Sequence, residues 1–61
     1  MNLKFIIDKT IERHATSTGK TDFWVKFSLN DSQIKEFMSF QESYKFWNIE
    51  DKILEIHVSL D

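Results

Sequence analysis

The chain has no cysteine and no proline, one glycine, and one arginine among its eight basic residues. Without cysteine there is no disulfide and no thiolate metal site. The remaining soft ligands, His14 and His57, lie far apart in sequence with no metal-ligand spacing, so no metal or other cofactor is expected. No apolar run approaches the ~18 residues of a membrane span. The start, from Asn2 to Asp8, holds one lysine and then too short an apolar run for a signal peptide, which makes the cytoplasm the expected compartment.

Sixty-one residues make one domain, residues 1–61, and a chain of that length buries only ~60 % of its unfolded surface. With no disulfide or metal to reinforce a small core, the chain must rely on an unusually aromatic interior or on a partner. Six Phe, two Trp and one Tyr supply the aromatics, each worth ~150–250 Å² when packed. Four of them would fill most of so small a core, which leaves the others for the surface or a partner. The net charge of −2 favours solubility without creating a strong field.

Period-two patterning dominates the first reading of the chain. In residues 2–13, Leu3, Phe5, Ile7 and Ile11 alternate with mostly polar neighbours, Ile6 excepted, and predict a strand. A polar loop runs from His14 to Thr21, where Gly19 supplies a positive φ for a hairpin connection. Residues 22–29 alternate again, with Phe23, Val25, Phe27 and Leu29 opposite Trp24, Lys26 and Ser28. Asn30 opens a helix: it is a favoured N-cap, Gln33 completes a capping box, and Leu29 with Ile34 forms a hydrophobic staple. Ile34, Phe37, Met38, Phe40 and Tyr44 carry that helix's apolar stripe to residues 42–44. Residues 45–49 read either as a short edge strand or as a connector, because the turn at Glu50-Asp51-Lys52 lacks an Asn-Gly signal. Residues 53–60 alternate as a last strand.

The expected fold class is therefore α+β: an N-terminal β-hairpin, one helix, and one or two C-terminal strands (ββαβ or ββαββ) forming a small antiparallel sheet. One helix covers one face of a sheet. The other face would carry Ile6, Trp24, Lys26, Ile53, Glu55 and His57, with Phe46 or Trp47 joining according to register. Such a cluster would expose roughly 400–600 Å² of apolar surface, at or above the largest patch of an ordinary monomer. A Trp flanked by charge matches the anchor and rim of a binding hot spot. Ile6, Trp24, Lys26, Trp47, Ile53, Glu55 and His57 are accordingly the expected partner-binding residues, and the chain is expected to form a homodimer as well as to bind a foreign protein.

Other chemistry finds little footing. Thr18-Gly19-Lys20-Thr21 looks like the end of a phosphate-binding loop, but His14 stands where the first Gly is needed and a strand follows instead of a helix. No Gly-flanked nucleophile is present, and catalysis is not expected. Nucleic-acid binding has Trp24 and Lys26 in its favour, but seven scattered lysines interleaved with ten acids form no basic stripe. Lysine far outnumbers arginine, and Ile, Asn and Phe are frequent, as in AT-rich bacterial and phage genomes. Format and composition together point to a non-catalytic protein that binds and inhibits a host component, such as a phage anti-defence protein. A nucleic-acid-binding accessory protein is the alternative.

Overall fold

The computed structural model describes residues 2–60, and its first element is a helix, not a strand. Helix α1 spans Leu3–Thr18. Asn2 caps it, its side chain accepting a hydrogen bond from the Phe5 N–H at 2.8 Å, and Gly19 closes it at φ 69° with its N–H donating to the Ala15 carbonyl. The glycine expected in a hairpin loop is thus the left-handed residue that commonly ends a helix. The expected β-hairpin start is overturned for a readable reason. Leu3, Ile7, Ile11 and Ala15 satisfy both an alternating pattern and a four-residue helical spacing, and all four lie in or against the core. An alternating strand would also want apolar side chains at positions 9 and 13, which are Lys9 and Arg13. Lys4–Asp8 and Lys9–Glu12 pair along the helix surface instead.

Strand β1 (Asp22–Ser28) follows, then α2 (Asp31–Met38). The capping box is present as expected: Asn30 Oδ1 accepts from the Gln33 N–H, and Gln33 Oε1 accepts from the Asn30 N–H. The helix is shorter than its apolar stripe implies. It stops at Met38, and a 3-10 turn at Gln41–Ser43 carries the chain onward. Strands β2 (Phe46–Glu50) and β3 (Ile53–Ser59) complete an antiparallel sheet of order β1-β3-β2. A two-residue turn joins β2 to β3, with Asp51 at φ 51° and Lys52 at φ 63°. Positive φ at both positions is what the twist of a tight hairpin requires, here met without glycine.

Both helices lie on one face of the sheet. Leu3 and Ile7 of α1, Phe37 of α2 and Leu29 before it share one buried cluster with Phe23, Val25, Leu54, Ile56 and Val58. The helices are also tied by the Leu3 N–H, which donates to Glu36 Oε2 at 2.9 Å. Phe5, expected in the core on the strand reading, is 48 % exposed on the outer side of α1. Phe5→Lys should therefore change stability by about 0.5 kcal/mol or less, as an ordinary surface substitution does. A loss of several kcal/mol in a urea titration would return these residues to a strand.

A second tie joins Tyr44, whose hydroxyl donates to Asp8 Oδ1 at 2.6 Å. Burial pushes the Asp8 carboxyl up, but hydrogen bonds from Lys4 and Tyr44 and the Lys4 charge outweigh it and hold the group below its ordinary value. Burial, then the hydrogen bond to Asp8 and its negative charge, push the Tyr44 phenol well above its ordinary value. A depressed carboxylate stabilises the fold above its unfolded pKa of ~3.9, and that contribution is lost as pH falls through the folded value. A raised phenol stabilises the fold below its unfolded pKa of ~10, and that contribution is lost as pH rises past it. Thermal melts should fall at both extremes; Asp8→Asn should flatten the acid limb and Tyr44→Phe the alkaline one. Both effects should be small, since the Asp8 side chain is half exposed.

Candidate interaction surface

With both helices on one side, none of the described residues outside the strands covers the other side of the sheet. Register lays that open face out in rows across β1, β3 and β2. Trp24 stands opposite His57, and His57 opposite Phe46. The next row is Lys26, Glu55 and Asn48, and the one after it Ser28, Ile53 and Glu50. At the other end Asp22 faces Ser59.

The first of these rows is wholly aromatic. The Trp24 and His57 ring centroids are 4.9 Å apart, and those of Phe46 and His57 6.1 Å apart. Trp24 is 56 % and Phe46 60 % exposed, so neither folds back onto the chain. His57 between them is largely covered. Its Nε2 contacts Asp22 Oδ1, and that carboxylate fixes the ring against rotation. The result is two proud aromatic ridges with an imidazole floor. Acidic residues outnumber basic ones at the strand positions of this face: Asp22, Glu50 and Glu55 against Lys26.

Of the residues expected at the site, Trp24, Lys26, Ile53, Glu55 and His57 share this face. Ile6 and Trp47 do not. Ile6 is exposed on α1, in the helical layer on the other side of the sheet; its placement with Trp24 depended on a strand that is a helix. Trp47 turns inward, its ring edge-on to Phe37 at 5.0 Å and its indole N–H donating to Gln41 Oε1 at 3.3 Å. Phe46 therefore takes the open-face place, since adjacent strand residues point to opposite faces. Asp22 was not anticipated at all. Its signal was two-residue spacing from Trp24, which puts both on one face once the strand begins at residue 22.

The described residues include no group of three or more His, Asp or Glu placed to hold a metal ion, and no helix is long and apolar enough to cross a membrane. The Asp22–His57 pair looks like two parts of an acid–base relay. Among the described residues no hydroxyl is hydrogen-bonded to the imidazole, and the pair lies on an open surface. Its evident effect is to hold a ring in place.

Fold and surface together define a small α+β domain with an uncovered aromatic sheet face. Comparison with known proteins finds no matching family model, no similar curated protein and no similar solved structure.

Proposed function

We propose that this domain is a non-catalytic binding module that engages another protein through the open face of its sheet. The observation that carries the reading is the row Trp24–His57–Phe46, in which two large side chains stay more than half exposed although a closed core lies one strand thickness away. Exposed aromatics rimmed by charge are the usual anchors of protein interfaces. The format suits an inhibitor that acts by occupancy, the role of many small phage and mobile-element proteins.

Charge weighs against nucleic acid as the partner. Stacking rings are present, but the strand positions beside them carry Asp22 and Glu55 against Lys26, the wrong balance for a phosphate backbone. Size weighs against the homodimer as a stable state. Three strands of seven residues or fewer cover a patch of roughly 14 by 23 Å. That footprint is well below the ~800 Å² per partner of a standard interface. A foreign partner that contributes a narrow element fits better.

A displayed peptide library selected on the immobilised domain tests the reading. Enriched binders should move the nuclear magnetic resonance signals of Trp24, Phe46 and His57 and leave the inward Trp47 indole in place. Binders that consistently map to α1 or α2 would overturn it.

A further inference from the structure

Within that reading, we infer that the open face takes a proline-rich segment in polyproline II conformation, flanked by lysine or arginine and running across the strands. The first argument is spacing. Neighbouring strands lie about 4.8 Å apart, so Trp24 and Phe46, one strand to either side of His57, rise from backbones roughly 10 Å apart. A polyproline II helix advances about 3.1 Å per residue and repeats every three, so its residues i and i+3 recur roughly every 9 Å. Two prolines one turn apart thus meet the two ridges, and the residues between them pass over His57.

The second argument is hydrogen bonding. An extended peptide that adds to a sheet needs a free strand edge and pairs its own backbone there. A polyproline II segment has no internal hydrogen bonds and keeps its carbonyls in water, so it can lie on a sheet face with nothing to pair. Its stiffness also lowers the ordering cost of binding to a small patch.

The third argument is charge and extent. Asp22 lies two positions from Trp24 on β1 and Glu55 two positions from His57 on β3, so at the strand positions beside the aromatic row two carboxylates stand against Lys26. A cationic flank complements that set and a phosphate chain does not. The small footprint holds a short segment. A cleft of about 450 Å³ borders Phe46 and His57, lined also by Ile11, Tyr44, Lys45 and Leu60.

The test is a titration of the whole ¹⁵N-labelled domain with a short synthetic peptide that has proline at every third position and arginine at both ends. The Trp24 indole and the Phe46 and His57 amide signals should shift, with a dissociation constant on the order of 100 µM for so small an interface. Replacing the prolines by alanine should weaken binding about tenfold or more, and Phe46→Ala in the domain should do the same. No shift with peptide at about 2 mM, equal binding of the alanine peptide, or tighter binding of oligothymidylate at the same residues would overturn the inference. If the proline peptide fails while the library yields other ligands that depend on Trp24, this inference falls and the protein-binding reading stands. If neither peptide nor library finds the aromatic row, both fall.

Discussion

Phe37→Ala should leave a large part of the population unfolded at 25 °C. Phe37 is fully buried, and three aromatic rings close on it: Trp47 edge-on at 5.0 Å, Phe40 edge-on at 5.4 Å and Tyr44 stacked at 5.9 Å. Truncating a buried Phe to Ala typically costs about 3–5 kcal/mol, through lost transfer energy and the cavity left behind. A chain of this length holds only roughly 3–9 kcal/mol in total. The same side chain joins α2, the 3-10 turn and β2, so the cavity cannot collapse by moving one element alone. Near-ultraviolet circular dichroism should lose its aromatic signal, and the urea midpoint should fall toward zero. Phe37→Leu keeps most of the volume and should cost about 1.5 kcal/mol or less. If Phe37→Ala melts like the parent, the aromatic cluster is not what holds the helices to the sheet.

Trp24→Glu should have the opposite profile. The side chain is exposed and touches mainly His57, so its removal should shift stability by about 0.5 kcal/mol or less. For any ligand anchored on the open face, however, the loss should reach about 2–4 kcal/mol, roughly 30- to 1,000-fold in affinity. The new carboxylate adds to a face that is already acidic, so the effect should be smallest for the most basic ligands. Lys26→Ala, at the rim, should cost less than about 1 kcal/mol. Circular dichroism melts paired with isothermal titration separate the two effects. Unfolding by Trp24→Glu would make the Trp a structural residue and remove the candidate site.

The alternation read over residues 22–29 and 53–60 was sufficient to assign β1 and β3 to within one residue at their C-terminal ends, and their parity placed Trp24, Lys26, Ile53, Glu55 and His57 on one face without further information. The Asn30–Gln33 box was equally plain, because both halves of a cap are local. What could not be read had a physical cause in each case. Leu3, Ile7 and Ile11 fit two periods at once, and the apolar Phe5 and Ile6 between them disguised the helix. Polar residues at positions 9 and 13 were the discriminating evidence. The Asp51-Lys52 turn adopts a conformation that usually selects glycine, so its sequence understated the hairpin. With β2 undefined, nothing local could say which of Phe46 and Trp47 turns outward; packing on Phe37 decides it.

The strand order has a kinetic corollary. β3 takes hydrogen bonds from both flanking strands, yet it is made after them, and its pairing with β1 joins residues as distant as Asp22 and Ser59. During synthesis α1 can coil as soon as its own turns are complete. β1 and β2, by contrast, have no neighbour to zip onto until the stretch ending at Ser59 leaves the ribosome. The nascent polypeptide must therefore carry its apolar strands unprotected until β3 has emerged, and layer assembly becomes one concerted step limited by long-loop closure.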